Sequence, residues 1–293
     1  MARSAAAKAS MHVSFHSDVR FDPGQRPRRR PSPTMATEIF QEFQAEQVTD
    51  AMLANAANLF GEHYGIWGTP PEGHSGAFGK PGHRVRMSAS RLREQCLPAG
   101  AQCLYVSVIV DGVLAGNAFG CRWTYNHKQV CWVAQLVVHS DYRERRLATR
   151  LLEKLRKDED EIFGIMSSHP AACMALSKAC TNVALPSISL DFARDHAAGV
   201  LAGSPISYVR DAKLRGSLFP QDVAAEEDHI SLVDSGFFVD HEEPLSALGW
   251  LRDKDLWSLG GLPDGHEFIL VFQGARRHRS RSSSSGRSRH SRG

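Results

Sequence analysis

The segment from Gln135 to Leu152 has residue types that suit the binding of an anionic ligand. It reads Gln-Leu-Val-Val-His-Ser-Asp-Tyr-Arg-Glu-Arg-Arg-Leu-Ala-Thr-Arg-Leu-Leu. An apolar run is followed by a polar, arginine-rich stretch, and then by leucines at helical spacing (Leu147, Leu151 and Leu155). The N-terminus of a helix presents free backbone N–H groups and a partial positive charge, which favour phosphate. The segment therefore predicts a strand-to-helix junction whose helix tip is suited to phosphate; the alternative is that its arginines form a solvated helix face.

The surrounding pattern predicts a mixed α/β fold, with helices on both faces of a central sheet. The run 129–138 is apolar on both faces, which is typical of a strand in the middle of a doubly covered sheet. Asp111-Gly112 predicts a hairpin turn. The order strand, helix, strand after residue 129 predicts a parallel pair. The predicted strands are 103–110, 113–125, 129–138, 163–166, 207–210, 236–240 and 266–272, and the predicted helices are 48–62, 88–96, 142–158, 169–180, 190–201 and 244–253.

The stretch Arg143-Glu144-Arg145-Arg146-Leu147-Ala148 resembles the acetyl-CoA-binding signature of the GNAT superfamily of N-acetyltransferases, which reads Arg/Gln-x-x-Gly-x-Gly/Ala. The preceding strand and the following leucines match the usual context of that signature. Two C-terminal stretches, Gly-Phe-Phe-Val-Asp-His and Gly-Leu-Pro-Asp-Gly-His-Glu-Phe, resemble fungal proteins of this superfamily. The resemblance implies an acyl-CoA N-acyltransferase fold over 37–275, between an N-terminal extension, 1–36, and a tail, 276–293.

The resemblance also implies direct transfer of an acetyl group from acetyl-CoA to an amine, which the sequence does not identify. The backbone N–H of Val137 is then the expected donor to the thioester oxygen. His169 falls where the family often has an asparagine that contacts CoA. The implied cofactor-binding residues are Leu136, Val137, Val138, Arg143, Glu144, Arg145, Arg146, Leu147, Ala148, Thr149 and His169.

Two departures from the family pattern favour an alternative, a non-catalytic module that binds acyl-CoA. Arg146 replaces the first glycine of the signature, and Leu176 falls where the family usually has a tyrosine that protonates the leaving thiolate. If residue 146 needs φ > 0, the arginine costs about 1–3 kcal/mol. In addition, Asp141 and Glu144 have the spacing of a helix capping box, which requires no cofactor.

The candidates for a catalytic base are Asp240 and His241, at the end of the predicted strand 236–240. A carboxylate or an imidazole there is able to accept the proton of the amine. The alternative is a solvated turn before a helix. By the same resemblance, residues 67–78 are expected to shape the acceptor pocket, or else to form a flexible connector.

Charge is distributed unevenly along the chain. Residues 1–36 carry seven basic and two acidic side chains, and residues 276–293 carry seven arginines and no acid. Because the whole chain has a net charge of +3, residues 37–275 have a net charge of −9. Both tails have the composition of disordered segments. The Arg/Ser tail is either a weak RNA-binding element that contacts phosphates or a dispensable solvated segment.

Composition narrows the class of protein further. No apolar run approaches the roughly 18 residues of a membrane helix, so no membrane contact is expected. The six cysteines lack metal-finger spacing, which predicts buried, reduced thiols and no metal site. We therefore expect a cytoplasmic or nuclear protein.

Overall fold

The computed structural model describes residues 36–71, 79–181, 183–219 and 228–274. Apart from Ala36, the predicted N-terminal extension lies outside these residues, as does the Arg/Ser tail. Part of the predicted acceptor segment, 72–78, lies outside them as well. The boundaries of the three predicted regions therefore stay predictions.

The elements that position the site form one mixed sheet with helices on both faces. The strands are β1 (Glu38–Gln44), β2 (Gln102–Val110), β3 (Val113–Tyr125), β4 (Lys128–Val138), β5 (Asp160–Ser167), β6 (Lys213–Arg215), β7 (Leu232–Asp234) and β8 (His266–Gln273). The helices are α1 (Asp50–His63), α2 (Ala89–Cys96), α3 (Leu147–Leu155), α4 (Pro170–Cys180), α5 (Asp191–Ala202), α6 (Ser207–Arg210) and α7 (Glu242–Arg252).

The sheet has the strand order β1-β2-β3-β4-β5-β8-β7-β6. The β4–β5 pair is parallel and the other pairs are antiparallel. Asp111 and Gly112 both have positive φ, 49° and 86°, as a two-residue hairpin between β2 and β3 requires. The structure thus confirms the mixed sheet, the hairpin and the parallel pair.

Apolar clusters cover both faces of the sheet. One cluster packs α3, α4 and α7 against the sheet through residues such as Leu151 and Leu176. The other packs α1, α2 and α5 against the opposite face, around the fully buried Trp132. All six cysteines are buried, as predicted, and none of the six is in a disulfide.

A buried ion pair joins the elements around β4. Arg122 of β3 donates two hydrogen bonds to the carboxylate of Asp160 at the start of β5, each 2.8 Å long. Its guanidinium also donates to the carbonyl of Leu155, the last residue of α3. The side chains of Arg122 and Asp160 are 1% and 0% exposed. This contact fixes β3, α3 and β5 relative to one another.

Three predicted elements are wrong. The helix predicted from residue 142 begins at Leu147, because Glu144 and Arg146 have positive φ, which an α-helix does not accommodate. Residues 207–210 form a helical turn, α6, which buries Val209, rather than an extended segment. Residues 236–240 form an irregular segment with one bridge, between Trp67 and Val239, and the strand lies earlier, in β7.

Candidate active site

The parallel strands β4 and β5 separate before they end. Their pairing runs from Gln129 opposite Asp160 to Val133 opposite Ile165, and it stops there. Beyond this point β5 continues to pair with β8 only. In β4, Ala134 is an extra residue, because Gln135 pairs with Phe119 and Val133 with Gly120. We call the β5-facing backbone of Ala134–Val138 the open edge.

Alternate backbone groups of β4 face the open edge. The N–H of His139 donates to the carbonyl of Ala115 in β3, at 2.9 Å. In an antiparallel pair, this places the N–H of Val137 toward β3 as well, and those of Leu136 and Val138 away from it. The carbonyl of Val138 accordingly accepts from the Arg143 side chain, at 3.4 Å. The prediction that the Val137 N–H is the oxyanion donor is therefore wrong, because this group points toward β3. The N–H of Leu136 or Val138 is the candidate donor instead.

Tyr208 contacts the open edge from α6. Its hydroxyl donates to the carbonyl of Ala134, at 2.8 Å. No sequence pattern indicates this contact, because residues 207–210 are predicted to be extended. A tyrosine hydroxyl therefore lies at this edge. It comes from α6 and not from α4, where the buried Leu176 occupies the position at which the family usually has a tyrosine.

The tip of α3 has no side-chain cap. Its N-cap residue is Arg146, which has φ 62° and makes no side-chain capping hydrogen bond. The predicted capping box is therefore wrong: Asp141 belongs to a 3-10 turn, Ser140–Tyr142, five residues before the helix. The backbone N–H groups of Leu147, Ala148 and Thr149 have no acceptor within the helix. The geometry leaves these amides for an anionic ligand.

Replacing Arg146 by glycine is expected to raise the free energy of unfolding by about 0.5–1 kcal/mol. The change removes a left-handed cost of about 1–2 kcal/mol and adds a smaller entropy cost for glycine. Urea unfolding measures the effect. Arg146→Ala is the matched control, because it removes the same charge and keeps Cβ. Equal stabilities of the two variants would contradict a strained residue 146.

The side chain of Arg143 is held inside a network at the mouth of the open edge. Besides Val138, its guanidinium contacts the carbonyl of His63, at 2.6 Å, and the carboxylate of Glu243 at the start of α7. Glu243 also lies 3.5 Å from Nε2 of His169, which caps α4 through Nδ1. Hydrogen bonding by His169, and then the charge of Arg143, lower the pKa of Glu243. One carboxylate thus joins two predicted cofactor-binding residues.

The other predicted residues of the junction differ in exposure. Glu144, Arg145 and Arg146 are exposed, whereas Leu147 and Thr149 have buried side chains and present only backbone to a ligand at the tip. Arg145 turns back onto the ring of Tyr142, at 5.0 Å. At the tip, Leu147 and Thr149 thus contribute backbone amides, whereas the Arg145 guanidinium contacts Tyr142.

The two candidate bases have different environments. The carboxylate of Asp240 is exposed and accepts the N–H of Glu242, at 2.9 Å, which makes it a cap of α7. His241 is 6% exposed, and neither of its ring nitrogens has a hydrogen-bond partner. Burial lowers the pKa of His241. The structure thus brings His241, and not Asp240, into a buried position.

Glu267 is a titratable residue that the sequence analysis did not select. It lies in β8, opposite Val233, and burial raises its pKa to about 6. Burial, and to a smaller extent the charge of Glu267, raises the pKa of Tyr64. The Tyr64 side chain forms a hydrogen bond with Ser168, just beyond β5. The sequence feature that could have identified Glu267 is a single carboxylate within the largely apolar run 266–272. A carboxyl group with this pKa is suited to accepting protons near neutral pH.

The pKa of Glu267 predicts a pH-dependent effect of Glu267→Gln. The folded form binds the proton more tightly than an ordinary carboxylate of pKa 4.5, so wild-type stability falls as pH rises through about 6. Between about pH 4 and about pH 8, the free energy of unfolding of the variant should rise by about 2 kcal/mol relative to that of the wild type. Urea unfolding at both pH values measures this. Glu94→Gln, on the exposed side of α2, is the control. A pH-independent difference for Glu267→Gln would contradict the shift.

The part of the chain that contains this geometry matches a known family. Residues 74–165 match the model of the acetyltransferase (GNAT) family. The matched range contains α2, β2, β3, β4, α3 and most of β5, and so includes both the open edge and the uncapped tip. Residues 74–165 are therefore similar to an acetyltransferase domain of the GNAT family. This confirms the predicted family and fold class, whereas the fungal resemblance stays a prediction.

Solved structures of acetyltransferases overlap this chain at low similarity. An aminoglycoside 6'-N-acetyltransferase complexed with coenzyme A covers 44% of this chain, at 17% identity and a TM-score of 0.30, and this chain covers 61% of its length. The ribosomal-protein-S18-alanine N-acetyltransferase from Escherichia coli covers 49%, at 14% identity and a TM-score of 0.30, with 76% of its own length matched. A GNAT-family acetyltransferase from Streptococcus pneumoniae covers 48%, at 11% identity and a TM-score of 0.31, with 83% of its length matched.

The chain spans less than two thirds of the length of the first of these structures. No curated protein matches the sequence significantly. Within the described ranges, no group of three or more His, Cys, Asp or Glu residues is arranged to hold a metal ion. Among the same residues, no helix has the length and apolar character needed to cross a bilayer.

Proposed function

We propose that the chain is an N-acetyltransferase that uses acetyl-CoA and transfers the acetyl group directly to an amine. The observation that carries this proposal is the open edge of β4, which leads to the uncapped tip of α3 inside the family-matched segment. An extended, amide-rich ligand arm fits such an edge as an added strand. The helix tip fits the diphosphate at the other end of that arm.

The residues of this chain have distinct parts in the proposed reaction. The amides of Leu147, Ala148 and Thr149 bind the diphosphate. The N–H of Leu136 or Val138 donates to the thioester oxygen and stabilises the negative charge that develops there. The amine must be neutral before it attacks, so a proton acceptor such as the Glu267 carboxylate completes the set.

Calorimetric titration with acetyl-CoA tests the cofactor half of the proposal. We expect saturable binding to the purified protein. No binding at millimolar acetyl-CoA would overturn both the proposed activity and the module alternative. Release of free CoA with a panel of amines then tests catalysis.

The module alternative is favoured by two observations, the contacts that already engage the Arg143 guanidinium and the leucine at position 176. A protein that keeps this side chain bonded to Glu243 and His63, and that has Leu176 in place of the tyrosine, fits cofactor binding without turnover. Binding of acetyl-CoA with no CoA release for any amine would establish this alternative.

Replacing Glu243 by glutamine is expected to tighten acetyl-CoA binding by about three- to tenfold. The substitution removes a carboxylate that competes with phosphate for Arg143, and charge-assisted hydrogen bonds of partly exposed groups are of this strength. Calorimetry measures the affinity. The neighbouring Glu242→Gln is the matched control, since it removes the same charge from the same helix turn. Equal effects of the two variants would show that Glu243 does not compete with the ligand.

A further inference from the structure

A small cavity of about 190 Å³ lies beside the start of α7. It is lined by Gly68, Thr69, the segment 238–240, His241 and Asp264. These residues come from the segment after α1 and from the two chain segments that flank α7. None of them belongs to the open edge or to the tip of α3. The cavity is therefore separate from the predicted cofactor-binding residues.

Backbone hydrogen bonds fix the walls of the cavity. The N–H of Gly68 donates to the carbonyl of Phe238, and the N–H of Asp240 to the carbonyl of Ile66, both at 2.9 Å. At Gly68 an added Cβ would lie 3.0 Å from the carbonyl oxygen of Val239, so a larger residue would push these segments apart. The cavity is thus formed by the fold before any ligand binds, which reduces the ordering cost of binding.

His241 gives this cavity an unsatisfied polar group. It is 6% exposed, and both ring nitrogens lack a hydrogen-bond partner. Nδ1 lies 3.6 Å from the Asp264 carboxylate, which is longer than a hydrogen bond. Burial lowers the pKa of His241, whereas the charges of Asp264 and Asp240 act in the opposite direction and His266 lowers it further. In a neutral ring with its Nδ1 proton toward Asp264, Nε2 is a buried acceptor without a partner, and a ligand N–H reaches it when the ring turns toward the cavity.

The charge and size of the cavity indicate the class of ligand. Two carboxylates, Asp240 and Asp264, lie at its rim, and no lysine or arginine is among the described residues that line it. Phe238 and Val239 supply apolar surface for methylene groups. Sites for whole small molecules have volumes of roughly 300–1,000 Å³, so this cavity accommodates one end of a ligand. The complement is an ammonium group on a short alkyl chain.

We infer that this cavity binds the distal ammonium group of a diamine, through Nε2 of His241 and the carboxylate of Asp264. Its relation to catalysis rests on the proposed function. Val239, which lines the cavity, packs in the same apolar cluster as Val137 of β4. An amine held beside two carboxylates stays protonated and does not attack a thioester. The reacting nitrogen is therefore a second amino group of the same molecule, which makes the acceptor a diamine or polyamine.

Calorimetric titration of the full-length protein with propane-1,3-diamine, without acetyl-CoA and at about pH 8, tests the site. We expect saturable binding with one molecule per chain, and none for the neutral propane-1,3-diol. Asp264→Asn should weaken the diamine affinity by about two- to fivefold. Asp158→Asn, an exposed carboxylate in the turn before β5, should leave the affinity unchanged. Asp264 is itself exposed, so its substitution leaves the fold intact.

Three results would overturn the inference: no saturable diamine binding, equal affinities for diamine and diol, or equal effects of Asp264→Asn and Asp158→Asn. His241→Asn gives a second check and should weaken the diamine as well. Failure of the site is distinguishable from failure of the proposed function. Diamine binding without acetyl-CoA binding would contradict the proposed activity and support the ammonium site. Acetyl-CoA binding without diamine binding would contradict the ammonium site and leave the proposed activity standing.

Discussion

Replacing Arg122 by alanine is expected to lower the free energy of unfolding by about 3–5 kcal/mol. The substitution leaves the Asp160 carboxylate, which is 0% exposed, without the two hydrogen bonds that compensate its burial. The N–H of Lys157 would still donate to this carboxylate. Urea unfolding at neutral pH measures the loss. A change below about 1 kcal/mol would show that water or another donor reaches Asp160.

A double variant separates the charge from the packing. Arg122→Met combined with Asp160→Leu removes both charges and retains most of the volume, and it should recover a large part of the stability lost in Arg122→Ala. If the double variant is as unstable as Arg122→Ala, the stability lost in Arg122→Ala comes from packing and from the hydrogen bond to Leu155, and not from an uncompensated charge on Asp160.

The elements with a strong local pattern were predictable from the sequence. The run 129–138 is apolar on both faces, and the structure places it as the central strand β4 with a parallel neighbour. The hairpin at Asp111-Gly112 has the positive φ angles that this dipeptide favours. The stripe of Leu147, Leu151 and Leu155 predicted a helix that buries all three residues. In these cases the residues that define the pattern are also those that determine the structure.

The start of α3 and the network around Arg143 were not predictable in this way. Periodicity carries no information about φ, so the left-handed Glu144 and Arg146 were read as the first turn of a helix. Glu243 lies 100 residues from Arg143, and its contact depends on the packing of α7. The buried charge of Arg122 had only a weak signal, one arginine within the largely apolar strand β3. Long-range pairing of charges is determined by the fold, and local sequence does not specify it.

Replacing Ala148 by glutamate is expected to weaken acetyl-CoA binding by about 2–4 kcal/mol, if the tip of α3 binds the diphosphate as proposed. Two like charges about 4 Å apart repel by about 4 kcal/mol at the effective dielectric of a protein surface. An acidic residue in the first turn is favourable for the helix itself, so the fold should not weaken. A loss of affinity can then be assigned to the ligand site.

The matched control is Ala148→Gln, which adds the same bulk without the charge. Calorimetry with acetyl-CoA should show a larger loss for glutamate than for glutamine, and raising the salt concentration should reduce the difference because ions screen exposed charges. Wild-type affinity in Ala148→Glu would place the diphosphate elsewhere. Since the N–H groups of Leu147, Ala148 and Thr149 are the donors at this tip, that result would also remove their proposed part in binding, whereas the open edge of β4 could still accommodate the arm of the ligand.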